Sequence, residues 1–150
     1  MNLTLKRTDT NDNDFKNLVI LLDADLAVRN GDLHAIYTPH NILDHLDTVI
    51  IAYNDDLPAG CGCFKKFDVH TVEIKRMFVK PEQRGKGIAF KVLAQLELWA
   101  KEKGYLHTVL ETGQTNPEAL GLYRKNGYKV IDNYGPYIGL KSSICLRKTL

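Results

Sequence analysis

The sequence predicts a single-domain α/β fold, a mixed sheet with helices on both faces. Three observations carry that expectation. Short apolar and β-branched runs alternate with segments of helical periodicity, in the order β, α, α, β-hairpin, β, α, β, α, β, β. A chain of 150 residues suits one domain with one sizeable core. At 44% hydrophobic and 25% charged, its composition is that of an ordinary globular protein.

The elements follow in order. Residues 3–8 alternate and predict a first strand, and the polar, cap-rich residues 10–14 follow it. Over residues 15–29, Phe15, Leu18, Val19, Leu22, Leu26 and Ala27 recur at helical spacing until Asn30-Gly31 ends the helix. Residues 32–40 read as irregular and residues 41–46 as a short helix. Residues 47–53 and 57–67 predict a hairpin around Asn54-Asp55-Asp56, with Gly60 and Gly62 inside its second strand marking a bulge or a close backbone approach. Residues 72–79 are rich in β-branched and large apolar side chains, and Pro81 stops that strand. Ile88, Val92, Leu93, Leu96, Trp99 and Ala100 then lie on one face of a long helix ending at Gly104. A strand over 105–111, a helix over 117–126 and closing strands over 128–131 and 143–148 complete the chain. Asn116 or Thr115 is placed to cap the last helix, Pro117 fits its first position, and Thr115 with Glu118 spells a capping box.

Composition also excludes some classes. No apolar run approaches a membrane span, and the start lacks a basic segment followed by an apolar one, so neither a membrane protein nor a signal peptide is expected. A net charge of +2 is too small to argue for nucleic acid. Cys61, Cys63 and Cys145 lack zinc or thioredoxin spacing and read as buried small apolar residues of a cytoplasmic protein. His34, His40, His45, His70 and His107 form no metal-spaced cluster with them, so no metal is expected.

The strand over 72–79, the loop Arg84-Gly85-Lys86-Gly87-Ile88-Ala89 and the helix after it form the most informative stretch. Two glycines let a backbone turn tightly and bring its N–H groups close to a ligand. The first N–H groups of a helix lack internal partners, and the helix dipole adds partial positive charge there. Such a junction is an anion site suited to phosphate or pyrophosphate, and Arg84, Lys86 and Lys91 add mobile positive charge around it. The neighbouring alternative is a solvated basic turn before a core helix. Neither the Walker order Gly-x-x-x-x-Gly-Lys-Ser/Thr nor the Rossmann Gly-x-Gly-x-x-Gly is present, which argues against a nucleotide phosphate binder.

A second motif narrows the anion. Asn116-Pro117-Glu118-Ala119-Leu120-Gly121-Leu122-Tyr123 is followed by Gly127-Tyr128. Together with Arg84 to Ala89 it resembles the two signature elements of the GNAT superfamily of acetyl-CoA-dependent N-acetyltransferases. These are Gln/Arg-x-x-Gly-x-Gly/Ala between a strand and a long helix, and Asn-x-x-Ala-x-x-Leu-Tyr before Gly-Tyr/Phe. The resemblance covers residues 72–131 in order and spacing; roughly the first 45 residues match only in element order.

That resemblance implies a mixed, largely antiparallel central sheet and acetyl-CoA as the acyl-donor co-substrate. It implies that Arg84, Gly85, Lys86, Gly87, Ile88 and Ala89 hold the CoA pyrophosphate. Met77, Phe78 and Val79 would pair with the pantetheine arm, and a backbone N–H near Met77 would polarise the thioester carbonyl where that strand splays from residues 106–111. Tyr123 would supply the proton to the leaving thiolate, and Asn116 would bond the pantetheine amide as well as cap its helix. The attacking amine needs a base, and Glu73 and Glu111 are the candidates, one on each central strand. For Glu73 the competing reading is a strand-end carboxylate paired with Lys75, Arg76 or solvent. Glu111 also reads as a wall of the acceptor pocket, which Tyr37, Tyr134 and Tyr137 help to shape. The expected partner is a small-molecule amine, with a protein amine as the second choice, no nucleic acid or membrane, and a homodimer left open. The alternative function is a non-catalytic acyl-CoA-binding module on the same fold.

Overall fold

The computed structural model describes residues 1–31 and 44–150. In chain order these form β1 (Leu3–Thr8), α1 (Asn13–Asn30), β2 (Val49–Asn54), β3 (Leu57–Lys66), β4 (Thr71–Val79), α2 (Ile88–Glu102), β5 (His107–Gly113), α3 (Pro117–Lys125), β6 (Lys129–Ile131) and β7 (Ser143–Thr149). The seven strands make one sheet in the order β1-β2-β3-β4-β5-β7-β6. Every neighbouring pair is antiparallel except β4 and β5. The mixed, largely antiparallel α/β architecture expected from the sequence is therefore present.

Alternation along the strands divides the core between the two faces of the sheet. Ile50 and Ala52 pack with Phe64, Val72, Ile74, Leu110 and Leu146 beneath α2, whose Ile88, Val92, Leu93, Leu96 and Ala100 are buried. Val49 and Ile51 face the other way and join Cys61, Cys63 and Phe78 beneath Phe15, Leu18 and Leu22 of α1. Burial of each such leucine or isoleucine stabilises the fold by about 1.5–3 kcal/mol. Helices on both faces explain why β2 reads as an unbroken apolar run. All three cysteines are buried and free, and burial pushes the Cys63 thiol up to about 12.

The centre of the sheet carries an irregularity that shapes everything near it. Cys63 pairs with Lys75 and Cys61 with Phe78, so Arg76 and Met77 share the space opposite Gly62. Arg76 takes a left-handed φ of 58°, and a bulge of this kind bends its strand. A Cβ on Gly62 would stand 2.5 Å from Met77 Sδ and 2.9 Å from Leu96 Cδ1, so glycine is required for close approach. β4 pairs with β5 only through Thr71, Val72 and Glu73. β5 meanwhile stays paired with β7 as far as Gly113. The two central strands part beyond Glu73, and a cleft opens between them.

Several boundaries differ from expectation. The strand expected from residue 105 begins at His107; Tyr105 instead sets its ring edge against Phe64, with centroids 6.4 Å apart. Tyr128 precedes β6 and is a core residue, its hydroxyl donating to Glu97 Oε2 at 2.8 Å and accepting from Thr108 Oγ1 at 2.8 Å. Of the short helix expected over 41–46, residues 44–46 are not helical and 41–43 lie outside the described residues, as do His34, Tyr37 and His40. No helix among the described residues is long and apolar enough to cross a membrane.

Candidate active site

The cleft between the parted strands has a volume of about 940 Å³. Its walls are β4 from Glu73 to Val79, the start of α2, residues Glu111 to Gly113 of β5, and one face of α3. The C-terminal part of α1, from Leu22 to Asn30, closes another side.

At one end lies the glycine loop. Gly85 and Gly87 have φ of 78° and 77°, a conformation that costs other residues roughly 1–2 kcal/mol. Gly87 caps α2 without a side-chain hydrogen bond, so the first N–H groups of the helix lack the side-chain partner a serine or aspartate would give. Gly85, Gly87, Ile88 and Ala89 line the cleft together with Lys91. These residues form the junction that the sequence marks as a candidate anion site. Its flanking charges are less mobile than expected. Arg84 Nε donates to the Val79 carbonyl at 2.9 Å, and its guanidinium lies 5.8 Å from the centre of the Phe78 ring. Lys86 is exposed and donates to Gln83 Oε1 at 3.3 Å.

Along the next stretch, Met77, Phe78 and Val79 present to the cleft the strand edge that β5 has left. That edge can accept an extended, amide-bearing chain as an added strand.

The carboxylates stand where the strands part. Glu73 pairs with Val109 in register, and Glu111 lies two residues further along β5. The two are therefore on the same face of the sheet. Glu73 is 5% exposed and accepts a hydrogen bond from Tyr134 Oη at 2.8 Å. Arg76 pairs instead with Asp23 of α1 at 2.7 Å, while Lys75 stays in electrostatic attraction with Glu73. Tyr134 in turn packs edge-on against Phe67 and Tyr137. Burial, opposed by a hydrogen bond from Ser143 and the charge of Lys75, raises the Glu111 carboxyl above its ordinary value. Lys75 also lines the cleft, and burial lowers its ammonium pKa against the pull of Glu73.

Tyr123 reaches the cleft from α3 and is 6% exposed. Burial, and after it the charge of Glu111, raises its phenol well above the usual value, so the group holds its proton at neutral pH. Its ring packs edge-on against Tyr128. Asn116 lines the cleft and caps α3, accepting from the Ala119 N–H at 3.2 Å. The capping box expected of Thr115 and Glu118 does not form, because the cap falls on Asn116, one residue later, which puts Ala119 at the third helical position; Glu118 instead pairs with Arg29, whose Nη2 lies 2.6 Å from its carboxylate.

The structure thus places every expected donor-side residue except Lys86 on the cleft wall, and both carboxylates with them. It adds residues that the sequence did not mark. Arg29 binds Asp25, Glu118 and the Thr115 carbonyl, so it ties α1 to α3 beside the cleft. Gln83 joins the wall just ahead of the glycine loop.

A family model described as the acetyltransferase (GNAT) family matches residues 17–128. The chain belongs to the GNAT family. A relative at full length is the IAA acetyltransferase of Azospirillum brasilense, 30% identical over 99% of both chains. The Probable N-acetyltransferase 14 of Xenopus tropicalis is 36% identical over 70% of this chain, a match spanning 51% of the frog protein. Among solved structures, a GNAT family acetyltransferase from Elizabethkingia anophelis with acetyl-CoA bound superposes with a TM-score of 0.71 at 23% identity, covering 99% of each chain.

Proposed function

We propose that this GNAT protein transfers an acetyl group from acetyl-CoA to a primary amine of a small molecule, by direct attack with both substrates bound. The observation that carries this reading is the cleft at the parting of β4 and β5. It has an uncapped glycine-rich helix start at one end and two carboxylates and a buried tyrosine along its walls. The acetyl-CoA held by the Elizabethkingia enzyme and the acetyltransferase names of the sequence relatives support it. A concave site of about 940 Å³ suits a small acceptor beside the donor arm.

The donor supplies an acyl group already activated as a thioester. In this reading the N–H groups of Gly85, Gly87, Ile88 and Ala89, with Arg84, Lys86 and Lys91 around them, hold its pyrophosphate. The free edge at Met77, Phe78 and Val79 and the Asn116 carboxamide orient its amide-bearing arm. The Met77 N–H, at the bulge, polarises the acyl oxygen. Glu73, or Glu111 beside it, takes the proton from the incoming amine directly or through water. The protonated Tyr123 phenol returns a proton to the departing sulfur.

The test is thiol release from acetyl-CoA across a panel of small primary amines and peptides. Turnover of at least one small amine is expected. Turnover of peptides alone would overturn the small-molecule assignment. Binding of acetyl-CoA with no thiol release on any amine would leave a non-catalytic acyl-CoA-binding module.

A further inference from the structure

A buried carboxamide links the turn ahead of the glycine loop to the far hairpin. Asn54 ends β2, lies outside both signature motifs, and is 9% exposed. Its Nδ2 donates to Gln83 Oε1 at 2.8 Å. Lys86 Nζ donates to the same oxygen at 3.3 Å. One acceptor therefore receives two donors, one from the core and one from the exposed ammonium within the loop. The other end of the Asn54 carboxamide, Oδ1, is buried without a hydrogen-bond partner among the described residues. An unsatisfied buried acceptor costs stability, so this bridge is an expensive way to pin a turn. An apolar contact would pin it without that cost. Beside it, Gln83 N–H bonds the Lys80 carbonyl and Arg84 bonds the Val79 carbonyl, while Lys80 N–H reaches the Ala59 carbonyl of β3 at 2.9 Å and the Arg84 guanidinium stands 3.9 Å from Asp25 of α1. The Asn54 bond joins Gln83 to a different part of the sheet.

We infer that Asn54 is a positioning residue for donor binding, acting through Gln83 to hold the Lys86 ammonium beside the pyrophosphate-binding loop. The inference rests on the donor reading above. Gln83 Oε1 offers lone pairs to two donors, and the bond from Asn54 fixes where that oxygen stands. Without it, Gln83 and Lys86 share one soft contact at the protein surface, and the ammonium is free to swing into solvent. The bridge should then matter only for a ligand that carries the diphosphate.

The experiment compares CoA with pantetheine, which has the arm and thiol but no phosphate, by calorimetry on the full chain. Asn54→Ala and Gln83→Met, the latter keeping length while removing the acceptor, are each expected to weaken CoA binding about fivefold, the worth of one hydrogen bond near 1 kcal/mol. Pantetheine binding should stay unchanged. In a double-mutant cycle, Asn54→Ala should cost nothing further once Lys86 is replaced by Ala. Equal weakening of both ligands, or full additivity with Lys86→Ala, would show a merely structural role and overturn the inference. Should Asn54→Ala fail to fold, Gln83→Met alone, with the Lys86 cycle built on it, decides the matter by the same criteria. A native protein that binds CoA equally with and without these changes overturns the relay alone. A native protein that binds no CoA overturns the donor reading with it.

Discussion

The proposal that Tyr123 acts as an acid rests on its burial in the cleft wall and on the proton it keeps. Tyr123→Phe keeps the ring and its packing on Tyr128 while removing the hydroxyl. It should lower kcat by about 10²-fold or more, the usual worth of a positioned acid, with acetyl-CoA affinity nearly intact; unchanged turnover would remove Tyr123 from the reaction. Glu111 offers a separate reading through pH. Its carboxyl titrates higher in the folded chain, first because of burial. A group of this kind favours the fold while protonated, and that stability is lost as pH rises through the folded value. Glu111→Gln should therefore melt higher than the native protein at neutral pH, with the gap closing in acid. Melting curves across pH check this, and a gap that widens in acid would refute it. Glu73 shows how a long-range partner alters a residue's meaning. A glutamate inside a strand needs a partner, and that partner is Tyr134, 61 residues away.

At the scale of elements, the bulge in β4 does the most. It lies just past the point where β4 leaves β5, and Met77 and the residues after it line the cleft. Gly62 makes room for it. Gly62→Ala should cost about 1–3 kcal/mol through overpacking against Met77 and Leu96, read from urea unfolding. It should also lower kcat/KM for acetyl-CoA, because the strand edge at Met77 moves with the bulge. Full activity in a destabilised Gly62→Ala protein would separate the bulge from donor binding. The glycine pair in the 85–87 loop acts differently: a Cβ there meets nothing within 4 Å, so only the left-handed φ calls for glycine. Thr115 and Glu118 have the spacing of a capping box, yet α3 starts one residue later with Asn116 as its cap, and Glu118 pairs with an arginine on α1.

For the whole molecule, donor binding should register as stability. At a hundred times its dissociation constant, acetyl-CoA should add about 2.7 kcal/mol, visible as a raised melting temperature. ATP shares the phosphates but has no arm to lay along β4, so its shift should be smaller; an equal shift would mean that the loop reads phosphate alone. Element order, the two core faces and the donor loop were legible because each depends on residues close in sequence. Ile88 to Ala100 spell a buried helix face, and Arg84 to Ala89 spell an anion site before any packing is known. The same locality made the second motif, ending at Tyr123, readable through its spacing. Contacts between distant segments were not legible, since they follow from strand register and helix packing. The Arg76 conformation needs the misfit with Gly62. The Glu73 partner needs the 134–137 turn brought back over β4. The Arg29 tie needs α1 laid against α3, and Lys86 is steadied only because Asn54 closes a hairpin beneath Gln83. By itself the sequence determined the two motifs on which the proposed donor site rests. The tertiary structure decided where the strands part and which carboxylates face the opening, because a site between two strands exists only once their register is set.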